Sequence, residues 1–219
     1  MLEVDGSFGE GGGQILRTAL GLSCLLHKPF RMFNIRKGRK KSGLMPQHLA
    51  AVAAAKLISN AEVRGNSTGS SELFFSPKEV KRGDFFFDIG TAGSTSLVLQ
   101  TILPALAFSK GKTTVTLKGG THVPFSPSFH YLAGIFKCFL EMLGFHIYLS
   151  IESYGFYPKG GGKIRVEILP TAEIRPLKII ERGRILHVRA LSGVGNLPVS
   201  IAKRQGSGML EKILSTISN

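Results

Sequence analysis

The stretch Asp5-Gly6-Ser7-Phe8-Gly9-Glu10-Gly11-Gly12-Gly13-Gln14-Ile15-Leu16-Arg17 decides how the rest of the chain is read. Glycines at 6, 9, 11, 12 and 13 surround Glu10, and an apolar helical pattern follows at once. Ile15, Ala19, Leu22 and Leu26 fall on one predicted face, with Leu16 and Leu20 beside them. Strand, glycine loop and helix start is a layout that aims backbone N–H groups, here those around Gly12 and Gly13, at an anion. An acid beside a phosphate needs a cation between them, so Glu10 is a candidate Mg²⁺ or Mn²⁺ ligand. Arg17, one turn into the helix, offers the same anion a fork of donors. The loop is no Walker motif, because no Gly-Lys-Ser/Thr follows. Nor does its glycine spacing fit a dinucleotide fingerprint. Most glycine loops before helices bind nothing, so the reading needs support from elsewhere in the chain.

Composition supplies some. The 219 residues are 43% hydrophobic, enough for a substantial core, and 28 basic against 14 acidic side chains give a net charge of +14. Such a surplus favours a polyanionic partner, nucleic acid first. No apolar run approaches the roughly 18 residues of a membrane span, so no membrane partner is expected. No signal peptide opens the chain, since Asp5 and Glu10 interrupt any hydrophobic start. Cys24 and Cys138 sit in apolar helical patterns and read as reduced core residues of a cytoplasmic protein.

Further along, Phe30 to Ile35 reads as a strand running into the cationic loop Arg36-Lys37-Gly38-Arg39-Lys40-Lys41. A charge run is usually a solvated loop, but its arginines suit phosphate. Pro46 opens a second helix with Gln47 and His48 in its first turn. Taken singly His48 reads as a structural histidine; its place beside the basic loop points it at the same site. The segment from Asn60 to Ser71 reads as turns, and Glu72–Ser76 and Phe85–Ile89 as strands.

The pattern then returns. Asp88-Ile89-Gly90-Thr91-Ala92-Gly93-Ser94 is again strand, glycine turn and helix start, with Ser94 or Thr95 as N-cap. Gln100-Thr101 stands where Arg17-Thr18 did, Lys118-Gly119-Gly120 where Arg36-Lys37-Gly38 did, and Ser128-Phe129-His130 where Pro46-Gln47-His48 did, each about eighty residues on. The helix opened by Ser128 should bury Leu132, Phe136, Phe139, Leu140 and Leu143. Two strand–helix–strand–helix–strand–strand units predict an α/β fold with α+β-type layers, the helices packed on four-stranded sheets. Repeat one spans about 1–83 and repeat two about 84–180. The connection Tyr154-Gly155-Phe156-Tyr157-Pro158-Lys159 reads as a long hairpin loop, aromatic and basic enough to touch RNA. Beyond it, 177–180 and 185–191 read as strands, and 197–215 as a helix broken at Gln205-Gly206-Ser207-Gly208. Residues 181–219 are too few for a core of their own, so they are expected to begin a second, incomplete domain.

Taken together, Gly9 to Arg17, Ile35 to Arg39, Gln47-His48-Leu49, Gly93-Ser94 with Leu99-Gln100-Thr101, Gly119-Gly120-Thr121, Gly155-Phe156-Tyr157-Pro158 with its triple glycine, and Glu181-Arg182-Gly183 resemble the RNA 3'-terminal phosphate cyclase family, over essentially the whole chain. The resemblance implies a core of such repeats with a smaller domain inserted before the last one. It implies an ATP-dependent, ligase-type reaction. A histidine takes AMP from ATP, the AMP passes to an RNA 3'-phosphate, and the neighbouring 2'-OH closes a 2',3'-cyclic phosphate with loss of AMP. By position, Glu10 would hold Mg²⁺ or Mn²⁺. Arg17, Arg36 and Arg39 would clamp phosphates, Gln47 and His48 would line the pocket, and Gly12, Gly13, Gln100 and Pro127 would contact ATP. The family's nucleophilic histidine lies in the final repeat, and none of His27, His48, His122, His130, His146 and His187 occupies its motif. The chain is therefore expected to be a fragment or a shortened gene product, inactive alone. The partner is an RNA with a 3'-phosphate end, and homo-oligomerisation stays open. Two alternatives remain: a non-catalytic cyclase-like scaffold in RNA processing or ribosome assembly, and an enolpyruvate-type transferase on a related repeat fold. The second would leave the +14 charge without a purpose.

Overall fold

A computed structural model describes residues 1–217. The chain divides into two compact units, Met1–Leu177 and a smaller one from Lys178 onward.

In the larger unit the same unit of structure occurs twice. Repeat one runs β1 (Leu2–Asp5), α1 (Gly13–Leu26), β2 (Phe30–Phe33), α2 (Pro46–Ser59), β3 (Glu62–Arg64) and β4 (Leu73–Ser76). Repeat two runs β5 (Asp84–Asp88), α3 (Thr95–Ala107), β6 (Thr113–Gly119), a broken helix, β7 (Ile147–Ser153) and β8 (Gly162–Ile168). The sheets have the matching orders β1-β2-β4-β3 and β5-β6-β8-β7. In each, the first two strands are parallel, as a helical crossover demands, and the hairpin partners are antiparallel. This is the layered α/β architecture expected from the repeat. Each parallel pair leaves its glycine loop at the same end of the sheet, where the following helix begins.

The helices join the repeats. α1 packs on α3, and α2 on both. A Cβ at Gly21 would lie 2.8 Å from the Thr101 carbonyl oxygen, so glycine lets the α1 and α3 backbones close up. Leu16, Leu20 and Cys24 of α1 are at most 1% exposed, as are Val98, Leu99 and Ile102 of α3. The predicted stripe Ile15-Ala19-Leu22-Leu26 is the other face of α1. Leu22 and Leu26 stay about half exposed, lining an apolar groove with Leu2, Val4 and Phe8. An α1 with two apolar faces could be read from either; the neighbour that covers one is α3, which periodicity does not reveal.

Several local expectations change. The polar segment after Asn60 contains β3, too short for a periodic signal but paired with β4 through Val63 and Phe75. The second helix of repeat two is α4 (Phe129–Tyr131), a π-turn (Leu132–Phe136) and α5 (Lys137–Met142). The π-turn rotates the helix beyond it. Leu132 is buried, whereas Phe139 is 44% exposed and Cys138 is exposed, not core. Residues 177–180 and 185–191 are not strands, and in the second unit α6 (Val199–Ile217) runs through Gly206 and Gly208 unbroken. Interior glycines cost a helix only about 1 kcal/mol each, which the rest of α6 absorbs. Positions 218 and 219 of the expected second domain lie outside the described residues.

Candidate functional site

The glycine loops, the cationic loop and the first turn of α2 meet at one end of the larger unit. Pro46 is the first residue of α2, and Met45 precedes it in extended conformation. The Met45 N–H donates to His48 Nδ1 at 3.1 Å. A backbone N–H can only donate, so Nδ1 is an acceptor and the neutral ring carries its proton on Nε2. His48 is 8% exposed. Burial, reinforced by the charges of Arg36 and Arg17, pushes its pKa down to about 4. At neutral pH His48 is therefore an uncharged ring whose Nε2–H is its free donor.

That donor lies over the glycine loop. A Cβ at Gly13 would sit 2.2 Å from His48 Nε2 and 3.0 Å from Arg17 Nη1. Glycine at 13 is thus the condition for α1's first turn, His48 and Arg17 to share one spot. Arg17 is half-buried, and loss of hydration lowers its pKa from the usual arginine value. A desolvated guanidinium gains more from an anion than a solvated one, because little water must be stripped on binding. Arg36, in left-handed conformation, donates through Nη1 to the Gly43 carbonyl at 3.0 Å and closes the cationic loop. Arg39 reaches over Gly12, 3.3 Å from where a Cβ would be, and pairs with Glu10 at 2.9 Å.

Glu10 has 89% of its side chain exposed, and its recorded partner is a cation. Among the described residues no three His, Cys, Asp or Glu side chains cluster as a metal cage. One exposed carboxylate on a glycine loop could hold Mg²⁺ or Mn²⁺ only if most of the ion's other ligands were water or substrate oxygens. Arg39 would then be its neighbour.

Repeat two supplies the opposite wall. A cleft of about 520 Å³ is lined by Gln14, Arg17 and Thr18 of α1 and by Leu97, Gln100, Phe125 and Pro127. A second cleft, about 630 Å³, lies between Gln47 at the start of α2 and Gly93, Phe125, Tyr157 and Pro158. Gln47 is close behind the Gly93 turn, 3.7 Å from a Cβ built there. Of the residues picked from the sequence, Arg17, Gln100 and Pro127 line the first cleft and Gln47 the second, whereas Glu10 and Gly12 line the apolar groove on the other face of α1. Arg17 faces Gln100 and Pro127, His48 meets Gly13, and Arg39 meets Glu10 and Gly12. Gln14, Phe125 and Tyr157 were not singled out as site residues. The one signal for Phe125 was its place between Pro124 and Pro127, neither of which has a backbone N–H to give to a strand ladder.

Three other histidines, His27, His122 and His130, are engaged away from this cluster. His27 caps α1 and bonds the Lys78 carbonyl at 2.9 Å. His122 bonds Thr121 and makes tilted ring contacts with Tyr154, Phe156 and His130.

Residues 8–215 match the family described as RNA 3'-terminal phosphate cyclase. The chain is 51% identical to the protein of that name from Sulfolobus acidocaldarius, with all of this chain aligned to 64% of that protein. It is 49% identical to the one from Sulfurisphaera tokodaii, over 99% of this chain and 63% of the relative, and 47% identical to that of Koribacter versatilis, over 94% and 58%. The chain thus spans roughly six-tenths of the length of the curated relatives it matches. Matched over residues 8–215 and about half identical to these relatives, the chain belongs to the RNA 3'-terminal phosphate cyclase family.

Proposed function

We propose that this chain carries the phosphate-handling part of an ATP-dependent machine that turns an RNA 3'-phosphate end into a 2',3'-cyclic phosphate. The observation that carries the reading is the packing of Gly13, Arg17 and a neutral His48. Together they offer an anion a desolvated guanidinium, an Nε2–H and the open N–H groups at the start of α1. A phosphomonoester is a poor electrophile, because expelling its oxygen requires a strongly basic leaving group. Adenylylation solves this: a histidine nitrogen attacks the α-phosphorus of ATP and releases pyrophosphate, and the AMP then passes to the RNA 3'-phosphate. The 2'-oxygen, losing its proton, attacks the 3'-phosphorus and expels AMP, leaving the cyclic diester. In each step, Arg17 and Arg39 would offset charge gathering on phosphoryl oxygens. Bound at Glu10, Mg²⁺ or Mn²⁺ would add Lewis acidity toward the same oxygens.

His48 does not suit the nucleophile's role. Its Nδ1 accepts the Met45 N–H and its Nε2 carries the proton, so neither nitrogen offers a lone pair. We infer that His48 binds phosphate, that the adenylylated histidine is none of the six in this chain, and that this chain alone takes no covalent AMP from ATP.

The test is binding of short RNAs that differ only at the end. A 3'-phosphate should bind this chain at least ten-fold more tightly than a 3'-hydroxyl, and Arg17→Met should erase most of the difference. Equal binding of both ends would refute the reading. Labelled AMP held covalently by this chain after ATP treatment would refute the role given to His48.

A further inference from the structure

Phe125 is the most exposed aromatic residue among those described, at 104% of the reference, and its backbone is left-handed at φ 59°. A bulky side chain rarely adopts that conformation, at a cost of about 1–3 kcal/mol. The ring packs on nothing that would offset it. Phe125 also lines both clefts, standing between the one with Arg17, Gln100 and Pro127 and the one with Gln47 and Gly93.

Across the second cleft is Tyr157, 71% exposed. Its loop is firmly built. Gly155 accepts from the Thr121 and His122 N–H groups at 2.9 and 3.1 Å, and its own N–H donates to Thr121 Oγ1 at 3.0 Å. The Gly160 N–H donates to the Phe156 carbonyl at 2.7 Å, and Gly160 fits so tightly that a Cβ would lie 2.6 Å from the Thr91 oxygen. Phe156 stacks on Tyr154 and packs against His122, and Tyr157, with no such ring contact among the described residues, is the most exposed of the three.

Two exposed rings held on fixed backbone beside an arginine cluster are what single-stranded nucleic acid binding requires. Each base has a π face, and stacking on an aromatic ring is insensitive to sequence. The chain's +14 charge complements the same partner. We propose that Phe125 and Tyr157 are stacking residues for the last bases of the RNA, seating the strand in the cleft of about 630 Å³ so that its terminal phosphate reaches Arg17 and His48. This rests on the reading that the site takes an RNA 3' end. It assigns the recognition of unpaired bases, without sequence preference, to these two rings, and it predicts that a paired 3' end is a poor ligand.

The experiment uses this chain and short RNAs ending in a 3'-phosphate, with either a normal or an abasic residue at the terminal and penultimate positions. Wild type should lose roughly 5- to 150-fold in affinity for each base removed. Phe125→Ala combined with Tyr157→Ala should lose a similar factor with normal RNA and almost nothing further with abasic RNA. Phe125→Tyr with Tyr157→Phe should restore the discrimination, which a merely folded loop would not explain. If wild type distinguishes 3'-phosphate from 3'-hydroxyl ends yet binds abasic RNA as well as normal RNA, the stacking proposal fails and the phosphate site stands. If the double alanine variant still discriminates, other groups read the bases and the proposal also fails. Loss of preference for the 3'-phosphate would instead strike the functional reading beneath it.

Discussion

Substituting Gly13 by alanine probes the centre of the site. The new methyl would lie 2.2 Å from His48 Nε2 and 2.7 Å from its Cδ2, well inside van der Waals contact. His48 is buried and anchored by the Met45 N–H, so it cannot swing away without breaking that bond. Overpacking costs about 1–3 kcal/mol, and a lost hydrogen bond about 1 more. Alanine gains back up to about 1 kcal/mol of helix propensity. The net should be a loss of about 1–3 kcal/mol, or a Tm lower by roughly 2–10 °C, followed by far-UV circular dichroism because the chain has no tryptophan. Gly12→Ala is the control. Its methyl would meet only the tip of Arg39 at 3.3 Å, so its cost should be about 1 kcal/mol of lost N-cap preference and the same with or without His48. The decisive arm is His48→Ala: with the ring gone, alanine at 13 should be neutral or stabilising. A Gly13→Ala cost that persists in that background would show that His48 does not lie over the loop.

The depressed pKa of His48 fixes a pH dependence. Unfolded, the ring takes a proton near pH 6.5; folded, only near pH 4. Its contribution is complete above about pH 6.5 and is lost as pH falls toward 4, by at most about 3 kcal/mol. Denaturant titrations from pH 7 to 4 should show this slope in wild type and a flatter one in His48→Asn; identical slopes would contradict it. Glu10→Gln should leave Tm nearly unchanged, since the pair with Arg39 is exposed. It should also weaken the Mg²⁺ dependence of ATP binding, measured by titration calorimetry; an unaltered dependence would remove Glu10 as the ligand. Gly21→Val should destabilise by at least about 2 kcal/mol, because its side chain meets the Thr101 carbonyl oxygen. Gly38→Val, open to solvent, should cost under about 0.5 kcal/mol in the same thermal melts. Equal costs would mean that α1 and α3 do not approach so closely.

The repeat was legible because its signals are local and come twice. A glycine turn after a strand, a proline or serine at a helix start, and alternation in Gly162–Ile168 are each written in a few adjacent residues. Ser94, for example, caps α3 by accepting the Leu97 N–H, as its position suggested. That Glu10, Arg17, Arg39 and His48 belong together was implied by the resemblance to the cyclase family, and they meet through adjacent glycines, Gly12 beside Arg39 and Gly13 beside Arg17 and His48. What failed was set by tertiary context. Which face of α1 is buried depends on α3, and the π-turn that exposes Phe139 and Cys138 leaves no mark in the apolar spacing. β3 exists because β4 pairs with it. The apolar appearance of 177–180 and 185–191 gave no strand, since among the described residues no strand pairs with them.

Photolabelling with 8-azido-ATP and Mg²⁺, followed by peptide mapping, tests most directly whether both repeats build one nucleotide site. Labelled peptides should come from α1 around Gln14–Thr18 and also from the Leu97–Pro127 region, and unlabelled ATP should suppress both together. Labelling confined to one repeat, or indifferent to added ATP, would contradict a site shared between them.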